Sequence, residues 1–227
     1  MLFRSHPVSR DYFRSMPTFF ENSCRVESWS AVLNKRARTR FRKPGKKETV
    51  FYVPAKLAGG AAHFNTPFYP ATWYFEHQKK ILNYFGQRPE YHFVYKHSSL
   101  QKWASSSVLR WLASQKFKNI EVIDGIFPKL MAQAHRVIFD YPSSGVFEAA
   151  AAGLPMLALY HRSMRLWEPM RQVFGPCLRP FSDTQEAVQT IHGYLNAPRR
   201  DYQIKLPAGD QENPFDVLEH DHEDQVR

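Results

Sequence analysis

The stretch VIFDYPSSGVFEAAAAGLPMLALY, residues 137–160, decides the fold. Val137, Ile138 and Phe139 form a short apolar run of the kind a buried strand carries. Asp140 ends it, and Pro142 with Ser143 and Ser144 marks a tight turn. An Ala-rich run of helical composition follows and stops at Gly153, a residue suited to the left-handed C′ position. Past Pro155 a second apolar run, Met156 to Tyr160, reads as another strand. Strand, turn, helix and strand in so short a span describe a βαβ unit.

Working outward, the same alternation continues in both directions. Upstream, TVFYVP (49–54), YHFVYKH (91–97), NIEVID (119–124) and HRVIFD (135–140) read as strands. Helical periodicity runs over about residues 73–87, with Trp73, Phe75, His77, Ile81, Leu82 and Phe85 towards the core, and Gly86 and Pro89 ending it. A second helix, capped by Ser98 or Ser99, extends to about Ser114 and buries Leu100, Trp103, Val108, Leu109 and Leu112. Residues 126–134 make a short helix. Downstream come the strand LPMLALYH (154–161), a helix containing Met and Trp, a short strand at 177–179, and a last helix at 182–195 opened by a Ser or Asp cap. About six βα units in sequence predict an α/β fold, a Rossmann-like doubly wound parallel sheet with ligands at the carboxyl ends of its strands.

Residues 1–48 stand outside this alternation and read as a basic connector or the remnant of a preceding domain. The domain proper is expected over 49–197, and 198–227 as a polar, acidic tail. The chain has 227 residues and a formal charge of +10, and much of the excess lies in NKRARTRFRKPGKK, residues 34–47. Such a run is either a solvated linker or a contact for a phosphorylated partner or anionic membrane. Aromatic residues do not interleave with it, which argues against nucleic acid. The two cysteines, Cys24 and Cys177, make no disulfide framework, so a reducing, cytoplasmic setting is expected. No apolar run approaches the roughly 18–20 residues of a membrane span, and the expectation is a soluble or peripheral protein, at most lying against the inner face of the cell membrane.

Several residues carry chemistry in this frame. Ser143, Ser144 and Gly145 open a helix whose first turn has unsatisfied N–H groups and a partial positive charge, suited to a phosphate. Glu148 lies one turn on, where a carboxylate can accept from ribose hydroxyls. The plainer alternative is that a serine caps the helix and Glu148 completes a capping interaction. After the first strand, Lys56, Gly59, Gly60 and His63 form a loop that either approaches a phosphate or is simply flexible. His161 and Arg162 follow the fifth strand, where an arginine can pair with phosphate. His135 reads as structural. His220 and His222 lie in the tail without a scaffold, and no Cys/His spacing suggests a metal, so none is expected.

Residues 140–160 also resemble the donor-binding segment of GT-B-type glycosyltransferases and of the related CDP-glycerol glycerophosphotransferases. The shared pattern is Asp-Tyr-Ser-Ser, a Glu-Ala helix, then Gly-x-Pro and an apolar strand, here with Pro142 inserted before the serines. TVFYVPAKL resembles the opening strand of their C-terminal domain, and FYPATWYFEHQKKIL the helix that follows it in bacterial surface-polysaccharide transferases. FVYKHSS resembles their strand ending in Lys-x-His-Pro, with Lys96 and His97 adjacent and Ser98 in place of proline. The likeness runs in the family's order from about Thr49 to Leu195.

This resemblance implies a donor-binding half of a glycosyltransferase acting in surface polysaccharide synthesis. Ser143, Ser144 and Gly145 would hold the donor diphosphate, Asp140 would shape the turn, and Glu148 would contact the ribose. Gly59, Gly60 and Arg162 join the donor candidates, and Lys96, His97 and His63 the catalytic ones. No cofactor is expected beyond a nucleotide-diphosphate sugar as co-substrate. The implied partners are that donor, a glycan or lipid-linked acceptor, anionic membrane, and a subunit supplying an N-terminal domain. Residues 5–13 resemble the end of that other domain, so the chain reads as a C-terminal half or one piece of a split enzyme. The alternatives are a CDP-glycerol glycerophosphotransferase, a sugar-nucleotide epimerase (which the opening segment fits poorly), and a non-catalytic basic protein binding nucleic acid or anionic membrane.

Overall fold

The computed structural model describes residues 47–55, 70–97, 107–164, 166 and 168–204. Its strands are β1 (Glu48–Val53), β2 (Tyr91–His97), β3 (Ile120–Asp124), β4 (Arg136–Phe139), β5 (Met156–His161) and β6 (Leu178–Phe181). Between them lie helices α1 (Ala71–Gly86), α2 (Ser107–Gln115), α3 (Phe127–Leu130), α4 (Ser144–Ala151), α5 (Glu168–Phe174) and α6 (Thr184–Asn196). Every pairing in the sheet is parallel, in the order β3-β2-β1-β4-β5-β6. That is a Rossmann-like doubly wound sheet, as the alternation predicts. The strand order reverses between β1 and β4, the switch point where such sheets open a crevice at their carboxyl ends.

The central strands β1, β4 and β5 are buried on both faces, which is why they read as apolar runs rather than alternating ones, whereas β3 at the edge is half exposed. Val50, Tyr52, Phe93, Tyr95, Ile138, Leu157 and Leu159 face one layer, with Ile81, Leu82 and Phe85 of α1, Val108 of α2 and Ile191 of α6. Phe51, Val94, Val137, Phe139, Met156 and Ala158 face the other, with Phe127 of α3, Val146 and Ala149 of α4 and Phe174 of α5. The buried positions of α1, at 74, 77, 78, 81, 82 and 85, keep one helical stripe. Tyr74 and Gln78 belong to it, whereas Phe75 packs only partly.

Two glycines explain where helices stop. Gly153, after α4, adopts φ +64°, the left-handed conformation a C′ residue needs. Gly86 ends α1 where a Cβ would come within 2.3 Å of the Phe117 ring. The last helix is opened by Asp183, whose side chain accepts from Glu186 N–H at 2.9 Å.

A 3-10 turn, Arg199–Tyr202, follows α6, and the Tyr202 ring packs on Tyr194 at 4.6 Å. Tyr202 also accepts from the buried Cys177 thiol through its carbonyl. The amino edge is tied by Arg136, which donates to Glu48 at 2.9 Å and to the carbonyls of Tyr194 and Ala197 at 2.8 Å each. An arginine buried against the last carbonyls of a helix also complements its dipole. Among the described residues no helix is long and apolar enough to cross a membrane.

Candidate functional site

At the switch point, the chain leaving β1 is held by groups from two other elements. Asp140, just past β4, is 2% exposed. Its carboxylate accepts from the Tyr52 hydroxyl at 2.8 Å and from the Ala55 N–H. The Gln78 amide of α1 donates to the Ala55 carbonyl at 2.8 Å and accepts from the Tyr95 hydroxyl at 3.2 Å. Both backbone polar groups of Ala55 are therefore clasped, one by a carboxylate and one by an amide. Burial pushes the Asp140 carboxyl up to about 7, against the pull of donors from Tyr52, Ala55, its own N–H and Gln78. The same burial, with the Asp140 charge beside it, raises Tyr52 well above its ordinary range. Asp140 thus fixes the exit of β1, its oxygens already engaged.

The turn after Asp140 delivers Ser143 to the N-cap of α4 in extended conformation, φ −114° and ψ 177°. Its side chain makes no capping hydrogen bond, and the first turn carries no acidic residue. With Ser143 at N-cap, Val146 occupies the third helical position, so Glu148 is out of register for a capping box. Those two facts remove the capping alternative for this pair. At Gly145 a Cβ would come within 2.7 Å of the Phe139 ring. Helix α4 lies close on β4, and the glycine serves that contact. Glu148 is half-buried on the same helix.

The other candidates distribute around this edge. His97 ends β2 on the face of Phe93 and Tyr95, and Lys96 lies on the opposite face with Val94, as strand alternation requires. His97 is buried, and its Nε2 has no hydrogen-bond partner. Arg162, after β5, donates to Glu186 at 2.6 Å, and its N–H bonds the Phe181 carbonyl. This pair ties the end of β5 to the first turn of α6 and, with the Ser182 N–H, draws Glu186 below the usual carboxylate range. Lys56, Gly59, Gly60 and His63 lie outside the described residues.

One cluster was not legible as a site. His77 of α1 stacks on Trp73 at 4.8 Å and on Phe181 at 5.1 Å, and its Nδ1 meets the Thr184 hydroxyl at 3.0 Å. His161 stands edge-on to Trp73 and Phe181. Its Nδ1 accepts from Ser163 N–H at 3.1 Å, so Nε2 carries the proton donated to the Ser182 carbonyl. Burial, then the neighbouring His161 and Lys80, lowers His77 to about 4, leaving it neutral at physiological pH. Its Nε2, like that of His97, has no partner. Helical periodicity places His77 inside but says nothing of these neighbours. Among the described residues no group of His, Cys, Asp and Glu is placed to hold a metal ion.

No protein-family model and no curated protein matches the chain. Among solved structures it is similar to the UDP-GlcNAc 2-epimerase of Methanocaldococcus jannaschii in complex with UDP-GlcNAc and UDP. That match has 14% identity and a TM-score of 0.48, over 95% of this chain and 58% of that one. It is also similar to the spinosyn rhamnosyltransferase, at 11% identity and a TM-score of 0.45, over 79% of this chain and 46% of that one. The E. coli ADP-heptose lipopolysaccharide heptosyltransferase II gives 14% and 0.42, over 75% and 53%. The chain thus spans about half the length of these proteins. At such identities and scores the likeness reaches no further than the fold.

Proposed function

We propose that this chain is the donor-binding half of a glycosyltransferase that uses a nucleotide-diphosphate sugar to build cell-surface polysaccharide. The observation that carries the reading is the start of α4, where Ser143 occupies the N-cap without a capping bond at the edge where the sheet's strand order reverses. Free N–H groups and an unengaged hydroxyl suit a diphosphate, and no carboxylate in that first turn opposes one. Resemblance of residues 140–160 to the family's donor segment supports the same assignment. Glu148, one turn further on, is the group for ribose hydroxyls.

In this reading the N-terminus of α4 stabilises charge on the leaving diphosphate. Lys96, on the sheet face that α4 covers, adds positive charge there. Acceptor binding and the catalytic base are assigned to a second domain or subunit, and lipid-linked acceptors would be met at an anionic membrane. Titration of the chain with UDP, GDP, CDP and their sugar or glycerol conjugates, read as melting temperature, tests the donor site. A shift with one nucleotide class, reduced in Glu148→Ala, supports the assignment. A shift confined to CDP-glycerol would name a glycerophosphotransferase instead.

A further inference from the structure

The two edges of the sheet differ in a way that bears on self-association. In a parallel pair each residue of one strand bonds the residues flanking its partner. Phe93 is registered with Ile120 and donates to the Asn119 carbonyl at 2.8 Å. Asn119, Glu121 and Ile123 therefore turn their backbone groups towards β2, and Ile120, Val122 and Asp124 turn theirs outward. At the other edge Ala158 donates to the Cys177 carbonyl and Arg162 to that of Phe181, which leaves Leu178 and Pro180 facing outward. Pro180 has no N–H, so that edge is blunted in the usual manner. The β3 edge has no such guard. The large apolar side chains left exposed among the described residues also lie here, Val122 in β3 at 45% and Ile126, two residues beyond the strand, at 58%.

We infer that β3 pairs antiparallel with β3 of a second copy of this chain, about a two-fold axis through Val122. Outward-facing residues must oppose outward-facing residues, and this register does so throughout: Val122 meets its copy, and Ile120 meets Asp124 at both ends. Each opposed pair exchanges two backbone hydrogen bonds. A shift that centres Glu121 on the axis sets like charges opposite each other, which is unfavourable. Centred on Val122, Lys118 of one copy lies diagonal to Asp124 of the other, twice over by symmetry. Both side chains are exposed on the single chain. This register satisfies the backbone pattern and the charge pattern together and sets Val122 against its own copy, so the partner it fits is a second copy.

Sedimentation velocity on the full chain over a wide concentration range tests this. Wild-type protein is expected to show a concentration-dependent dimer that Val122→Lys abolishes and Lys118→Glu weakens, with Lys118→Glu/Asp124→Lys restoring it. Val122→Cys is expected to crosslink to itself on oxidation, since opposed hydrogen-bonded residues sit about 5.5 Å apart. Circular dichroism of each variant confirms that it is folded. A dimer that survives Val122→Lys overturns the inference, and so does wild-type protein that stays monomeric. In that second case, a Val122 N–H protected from hydrogen exchange would assign the edge to another segment of this chain.

Discussion

The Asp140 carboxylate and the Tyr52 hydroxyl, both buried, meet at 2.8 Å across the join between β4 and β1. The contact lies at the point where the strand order reverses. It couples the turn that leads into α4 to the end of β1.

That relationship predicts a pH dependence. Asp140 is raised to about 7 in the folded state, from an ordinary value of 3.8. The folded chain therefore binds the proton more tightly, and the stability this supplies is full below about 4 and lost as pH rises through about 7. Asp140→Asn is expected to lack this component. Urea unfolding at pH 5 and pH 8 should show wild-type stability falling relative to the variant as pH rises.

His77 has the opposite sign. Its folded value, about 4, lies below its ordinary 6.5, so the unfolded chain takes up the proton first. Stability is full above about 6.5 and is lost as pH falls towards 4. His77→Leu should abolish this part of the acid sensitivity, which parallel melts of the two proteins between pH 7.5 and pH 4.5 would reveal.

Gly145→Ala should be costly although it sits beside the proposed diphosphate position. The added Cβ would press within 2.7 Å of the Phe139 ring, and overpacking of this kind costs about 1–3 kcal/mol. Ser143→Ala should leave stability within about 0.5 kcal/mol, below the usual loss for an N-cap serine, because its hydroxyl makes no capping bond. Denaturant midpoints for both variants check the contrast.

At the amino edge, Glu48→Ala strips the buried Arg136 guanidinium of its carboxylate partner. Removing one member of a buried pair typically costs about 3–5 kcal/mol, and the Tyr194 and Ala197 carbonyls remain to soften the loss. A melting temperature only slightly below that of the wild type would show that those two carbonyls suffice.

The strand and helix alternation was legible because the central strands are short apolar runs and two helices carry stop signals, at Gly86 and Gly153. Asp183 could likewise be read as a cap from its place before an apolar-periodic run. What eluded the sequence are contacts between residues far apart in the chain. Gln78 sits in a helix like any polar residue, and only packing places its amide on Ala55. Asp140 and Tyr52 are separated by 88 positions, and His77 and Thr184 by 107. The Phe139 ring beside Gly145 likewise belongs to another element. The Arg162–Glu186 pair, joining the end of β5 to a helix three elements later, is equally invisible in the sequence.

The most direct test of the donor-site assignment is a thermal-shift titration of the purified chain with UDP, GDP, CDP and their sugar or glycerol conjugates. The account predicts that one nucleotide class raises the melting temperature and that Ser143→Ala and Glu148→Ala each diminish the rise while staying folded. Full wild-type shifts in both variants, or no shift with any nucleotide, would contradict it.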